Sequence, residues 1–327
     1  MNLQVSTAGQ QVAETAILAA VRDGALREKN MKLATLSIEG KPIAAVEIGN
    51  GRWLDIAMAG GSSASLQAVI KEGDSAVAAL SDLVSQAQNG AHKDAVVTNP
   101  VLMAPLPQPL KNVFCVGRNY AEHIAEGDRA QKQKVGVTDH PVFFTKPPTS
   151  IVDPDGDILL FPEVSEAIDY EVELAIIIGK PGRNISKENA YKHIFGYTIL
   201  NDITARDVQR RHGGQYFKGK GFDGSCPLGP WIVTADAISD PHKLSIGLKV
   251  NGEQRQDGTT ADMIFDIPTL IASLSAGLTL EPGDIIATGT PSGVGYAMDP
   301  PRFLTSGDTV VCDIAEIGQL TNSVRVA

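Results

Sequence analysis

The stretch Asp169-Tyr-Glu-Val-Glu-Leu-Ala-Ile-Ile-Ile-Gly179 constrains the fold more than any other part of this 327-residue chain. Side chains of a strand alternate between faces, so Glu171 and Glu173 project to one side with Asp169 behind them, and Tyr170, Val172 and Leu174 to the other. Spacing alone favours a half-exposed strand with a wet acidic face. The continuation Ala-Ile-Ile-Ile is apolar on both faces and predicts burial instead. Two adjacent buried carboxylates repel one another and face a desolvation cost unless a cation neutralises them. A third acid, Asp202, ends a second apolar run, Tyr197-Thr-Ile-Leu-Asn-Asp202. Three carboxylates with no nearby His or Cys form a hard, all-oxygen set, suited to Mg²⁺, Mn²⁺ or Ca²⁺ rather than to zinc.

Composition excludes whole classes. An apolar fraction of 43% is that of a globular protein, and the length suits one large or two ordinary domains. The net charge is −10 and no basic stretch could track a phosphate backbone, so nucleic acid is excluded as a partner. No apolar run approaches the roughly 20 residues that span a bilayer, which excludes a membrane protein. Cys115, Cys226 and Cys312 are odd in number and far apart, giving neither a disulfide framework nor a CxxC site. Glu14, Arg22, Asp23, Arg27 and Glu28 interrupt every N-terminal apolar stretch, so no secretory signal and a cytoplasmic location are expected.

Apolar periodicity predicts a short amphipathic helix over 11–28, then a strand from Met31 to Ile38, a turn at Glu39-Gly-Lys-Pro42 and a second strand over 43–48. Met31 could itself be the biological start, making 1–30 an extension. A helical stretch over 62–88 completes a small N-terminal α/β domain, 1–105. Four prolines between Thr98 and Pro109 mark a linker or an edge-running connection. Beyond it, 106–327 is strand-rich, with strands predicted over 113–116, 142–145, 170–178, 196–201, 244–250, 284–287, 309–314 and 320–326. One clear helix, 267–276, is closed by Gly277. Strands and helices do not alternate regularly, so the expectation is an α+β fold with a rolled or barrel-like mixed sheet.

Some motifs are set aside on context. Gly219-Lys-Gly-Phe-Asp-Gly224 matches G-x-G-x-x-G, but the following Ser225-Cys-Pro-Leu-Gly-Pro230 cannot start the helix that would hold a pyrophosphate. Gly289-Thr-Pro-Ser-Gly-Val-Gly295 lacks the Lys-Ser/Thr ending of a phosphate cradle.

A second constellation is Gly117-Arg-Asn-Tyr-Ala-Glu-His-Ile-Ala-Glu-Gly127. Asn119 reads as an N-cap with Glu122 at N3, and Gly127 as the stop. His123 and Glu126 then share a helical face. A carboxylate beside an imidazole orients it and raises its basicity, as a general base for water requires; the alternative is an exposed surface pair.

Glu171-x-Glu173 with Asp202, Asn119-Tyr-x-x-His123-x-x-Glu126, Thr204-Ala-Arg-Asp-Val-Gln209 and Thr288-Gly-Thr-Pro-Ser-Gly-Val-Gly295 occur in one order. Together they resemble the fumarylacetoacetate hydrolase family, particularly its acylpyruvate-hydrolase-like and 2-oxohepta-diene-dioate isomerase-like bacterial members, over Val113 to Val326. The resemblance implies a mixed β-roll catalytic domain, a homodimer, and one divalent ion, usually Mg²⁺. It implies Glu171, Glu173 and Asp202 as metal ligands, His123 and Glu126 as a water-activating dyad on a lid helix, and Lys146 and Lys220 beside the substrate. Arg206 and Gln209 would line the pocket and Thr290 would hold the substrate carboxylate.

These parts suit hydrolysis of a carbon–carbon bond in a 2,4-dioxo acid such as acylpyruvate or fumarylpyruvate. The ion would act as a Lewis acid on the developing enolate, His123 would deprotonate water, and Lys146 or Lys220 would stabilise the oxyanion. The same parts serve oxaloacetate decarboxylation or the hydration and isomerisation of unsaturated oxo-diacids in aromatic catabolism. A non-catalytic metal-binding domain is the third reading; it has no need of His123 and Glu126. The segment 127–140 carries Arg129, Lys132 and Lys134 and reads as a solvated loop, or as a lid meeting a second anionic end of the substrate.

Overall fold

The computed structural model describes residues 31–132, 136–212 and 215–327. The helix expected over 11–28 and Lys134 of the basic segment lie outside the described residues. The architecture is the expected mixed α+β class, two large sheets with few helices. Twelve strands form the larger sheet, five the smaller, and a two-stranded ladder joins Ile168–Asp169 to Thr204–Ala205.

The carboxylate strand, Val172–Ile178, begins two residues later than predicted and is buried along its whole length. It lies between Ile194–Asn201 and Ile285–Ala287, antiparallel to both. An uninterrupted apolar sequence fits a strand with neighbours on both edges and cores on both faces. Leu174, Ile176 and Ile178 enter one core, and Ala175 and Ile177 the other. The register sets Val172 opposite Asn201, so Asp202 leaves its strand beside Glu171 and donates its N–H to the Glu171 carbonyl at 2.8 Å.

At the N-terminal side, Lys32–Ile38 and Lys41–Glu47 form a hairpin. Glu39 and Gly40 turn it with φ of 51° and 76°, the double positive φ that a two-residue hairpin loop needs. One helix predicted over 62–88 is two, Leu66–Glu72 and Asp74–Gln88, because Gly73 sits at φ 63° between them. Lys32–Ile38 also pairs with Cys226–Thr234, so the large sheet runs from 31–105 into the later strands without a break. The proline-rich segment is an edge-running connection that contributes Leu102–Met103 against Thr35 and Leu36.

Several strands have no counterpart in the sequence prediction, and the two longest of them are Cys226–Thr234 and Glu253–Thr259. Cys226–Thr234 contains Pro227 and Pro230, which argue against an interior strand. Its register against Ile194–Asn201 shifts between Tyr197 and Ile199, and the Thr198 hydroxyl closes the irregularity onto Gly229 O at 3.1 Å and Trp231 O at 2.7 Å. Glu253–Thr259 is almost wholly polar and forms the edge of the smaller sheet, where one neighbour suffices. The helix Ile267–Ser275 follows the prediction, capped by Asp266, whose carboxylate accepts from Thr269 N at 2.8 Å.

Truncating Ile176, fully buried at the centre of the carboxylate strand, removes packing that the rigid sheet cannot restore. Ile176→Ala should cost about 2–5 kcal/mol in denaturant unfolding, with an unchanged m-value.

Candidate active site

The carboxylate strand, the end of the strand Ile194–Asn201 and the turn Phe217–Lys220 bring charge together inside the molecule. Glu171, Glu173 and Asp202 each present one oxygen, and these atoms lie within 4.8 Å of one another. All three side chains are buried. Lys220, from the Gly-rich motif set aside above, is the hub of the cations. Its Nζ lies 2.8 Å from Glu171 Oε2, 2.5 Å from Asp202 Oδ2 and 2.8 Å from Thr204 Oγ1. Burial works against its charge, but Asp202 and Glu171 outweigh that and raise its pKa.

Lys146 is fully buried behind this layer. Its Nζ holds Asp202 Oδ1 at 2.8 Å and also meets the carbonyls of Ile203 and Lys220, and it is absent from the lining of the cavity described below. Arg206 bridges Asp169 Oδ2 at 2.8 Å and Glu171 Oε1 at 2.7 Å. Asp169 is completed by the N–H groups of Gly295 and Tyr296.

The three carboxylates of the triad are not equivalent. Burial opposes ionisation of Glu171, but Lys220 and Arg206 prevail and hold its carboxyl below the usual range. Burial pushes the Glu173 carboxyl well up, and the neighbouring charges of Asp202 and Glu171 push it further. Its Oε2 accepts from Gly289 N at 2.8 Å, and among the described residues it has no ion pair. A hard divalent cation is what this all-oxygen set lacks, so the residues fit the ion that the chemistry of the donors predicts.

Opposite stands the lid helix, Ala121–Gln131. It starts after Tyr120, not Asn119, and Asn119 does not cap it. The Asn119 side chain instead donates to Phe265 O and Thr288 O and accepts from Phe265 N. This ties the start of the helix to the Gly-rich loop. Nor does Gly127 stop the helix, which continues for one more turn. Gly127 is needed for close approach, since a Cβ there would collide with Tyr296 Oη. His123 Nδ1 lies 2.9 Å from Glu126 Oε1, and Glu126 Oε2 accepts from Gly293 N at 2.9 Å, so the pair is a half-buried, anchored dyad and not a surface one.

A cavity of about 730 Å³ joins the two halves, within the size range of small-molecule sites. His123, Glu171, Glu173, Lys220, Arg206, Gln209 and Thr290 all line it, whereas Lys146 and Asp202 lie beneath. The Thr290 hydroxyl donates to Val172 O at 2.8 Å and accepts from Gln256 Nε2 at 2.7 Å. Arg129 and Lys132 are exposed and do not line the cavity. Two further guanidinium groups in its wall, beside that of Arg206, come from Arg118 and Arg210, which the sequence reading did not single out. Tyr216 and Tyr296 were missed as well. Tyr296 stacks on Arg206, 4.3 Å from ring centroid to Cζ, and carries Arg210 at 5.1 Å. Lone aromatics and arginines give no spacing signal, so only the fold reveals them.

A buried acidic triad that could hold a divalent ion thus faces an oriented imidazole across a cavity of small-molecule size. The comparisons agree. The family pattern "Fumarylacetoacetate (FAA) hydrolase C-terminal" matches residues 112–325, and the chain belongs to that family. It is 50% identical over 223 residues, 68% of this chain and 72% of the relative, to "Oxaloacetate tautomerase YisK" of Bacillus subtilis. A solved fumarylacetoacetate hydrolase from Exiguobacterium antarcticum superimposes with TM-score 0.76 at 42% identity, covering 91% of this chain and all of that one. A maleylpyruvate hydrolase from Sphingobium, solved with manganese(II) and pyruvate, superimposes with TM-score 0.71 at 31% identity over the same shares.

The raised Glu173 carboxyl predicts a pH signature. In ion-free protein the folded state keeps a proton there that the unfolded chain releases above its ordinary value of 4.5. Stability present below that pH is lost as pH rises toward the folded-state value. Between about pH 5 and pH 8 the unfolding temperature of ion-free wild type should fall more than that of Glu173→Gln. Parallel curves would show that Glu173 is not the unbalanced group.

Proposed function

We propose that this protein is a divalent-metal-dependent enzyme that interconverts the enol and keto forms of a short 2-oxo diacid of the oxaloacetate class. The observation that carries this reading is the His123–Glu126 dyad facing the Glu171, Glu173 and Asp202 triad across one closed-backed cavity. Its specificity rests on the tautomerase named above, half identical over two thirds of the chain. The guanidinium groups of Arg118 and Arg210 in the wall suit a second carboxylate.

Glu171, Glu173 and Asp202 would hold the ion, with Mg²⁺ preferred and Mn²⁺ the alternative. When bound it supplies Lewis acidity to a 2-oxo group and its neighbouring carboxylate. Ketonisation moves one proton from the enol hydroxyl to C3, and the reverse reaction takes it from C3. His123 carries that transfer. With Nδ1–H donated to Glu126, Nε2 holds the lone pair, and Glu126, fixed by Gly293 N–H, supports the charge that develops on the ring. Lys220 steadies negative charge on the oxygen at C2, and Arg206 and Gln209 orient the substrate. Lys146 works through Asp202 as a positioning residue.

A second reading, hydrolysis of a 2,4-dioxo acid of the acylpyruvate or fumarylpyruvate type, draws support from the same dyad, which suits water activation, and from the likeness to the maleylpyruvate hydrolase. Both readings need His123, but only one releases two products. Enol-oxaloacetate decay followed by ultraviolet absorbance, beside pyruvate release from acylpyruvates, separates them. His123→Ala should lower turnover by about 10²–10⁴-fold while metal affinity, measured by calorimetry, stays within about threefold. Wild-type turnover on His123→Ala would overturn the assignment of the base.

A further inference from the structure

A second cavity, about 180 Å³, shares no lining residue with the first. It forms where the hairpin Ser245–Val250 and Glu253–Thr259 meets the segment 302–308 and Tyr170. At about 30 Å³ per water it has room for roughly six waters, the scale of a small oxyanion and not of a nucleotide.

Its charge is unbalanced at Arg255. The Arg255 side chain is only 7% exposed, yet its partners are few and weak. Nη2 lies 3.3 Å from Glu253 Oε2, Nη1 meets the thioether of Met298 at 3.3 Å, the neutral Tyr170 hydroxyl also hydrogen-bonds the guanidinium, and Nε has no partner. Glu253 is itself held by both terminal nitrogens of Arg302, at 2.6 and 2.9 Å, and is half-exposed. The carboxylate of Asp308 is committed to Thr305 and Asn251. A guanidinium has five N–H donors and is costly to bury without a matched acceptor. Carboxylate and phosphate oxygens match its fork.

We infer that this cavity is a binding site for a small oxyanion, a carboxylate or inorganic phosphate, received by the Arg255 guanidinium. The site adjoins the catalytic loop. A Cβ at Gly293 would run into the Arg255 carbonyl, Gly293 O accepts from Tyr170 Oη at 3.3 Å, and Gly293 N holds Glu126.

Calorimetric titration of the full-length, metal-loaded protein with inorganic phosphate, and separately with acetate, tests the inference without any reference to turnover. Saturable binding of either, with Kd of roughly 0.1–1 mM, is expected, and the arm that saturates identifies the oxyanion. Arg255→Gln should weaken that binding at least about tenfold, while Arg206→Gln, in the main cavity, leaves it unchanged. Thr305→Phe, an exposed lining position where a ring obstructs the cavity, should weaken it equally and serves if Arg255→Gln does not fold. Binding that survives both Arg255→Gln and Thr305→Phe, or that vanishes in Arg206→Gln, would overturn the site. So would the absence of saturable binding in wild type.

Discussion

Four carboxylates and three cations share the interior around the carboxylate strand. Asp169, Glu171, Glu173 and Asp202 face Lys146, Lys220 and Arg206, all of them buried. In a medium that solvates charge poorly, a set like this persists only if nearly every member is paired. Asp169 has Arg206 and three backbone N–H groups, Glu171 has Arg206 and Lys220, and Asp202 has both lysines. Glu173 has one N–H. The imbalance falls on a residue that lines the cavity, so the demand for an external cation is local and directional.

The loop 288–295 transmits that arrangement to the helix Ala121–Gln131. Successive N–H groups of Gly289, Gly293 and Gly295 go to Glu173, Glu126 and Asp169. One loop therefore grips a carboxylate of the triad, the partner of His123 and the partner of Arg206 at once. Glycine at 293 and 295 follows from crowding, because a Cβ at either position would meet the carbonyl of Arg255 or of Arg302. Thr288 and Thr290 pin the same loop to the backbone of the carboxylate strand through their hydroxyls. Dyad and triad are held in register by backbone donors that no side-chain substitution removes directly.

Sequence made the triad and the dyad legible because each is local and periodic. Two acids two apart on an apolar strand, and a His and a Glu three apart on a helix, declare a shared face before any tertiary contact is known. Lys220 was legible only through family resemblance, since its motif read alone is a failed dinucleotide loop. Arg118, Arg210, Tyr216 and Tyr296 were not legible, because their importance lies in where distant segments meet. The boundaries of the lid helix failed for a related reason. Asn119 and Gly127 have the residue types of a cap and a stop, but tertiary contacts with Phe265, Thr288 and Tyr296 claim both. Pro227 and Pro230 hid a strand that survives through a register shift closed by Thr198.

The division between strand and helix also bears on how one ligand set can support several reactions. The three triad carboxylates sit on or beside interior strands whose registers fix them. His123 rides on a helix whose outer turns are exposed, and the cavity wall beyond it draws on separate segments, Arg118 before the helix, Arg210 and Tyr216 after Asp202. Those wall residues carry no structural charge pairing with the triad, so they can vary while the ion site stays intact. Choice among tautomerisation, hydrolysis and decarboxylation then depends on what the wall holds at the far end of a substrate anchored at the triad. In this chain the wall is cationic and aromatic, which suits the short substrate with a second anionic end proposed above better than a long apolar one.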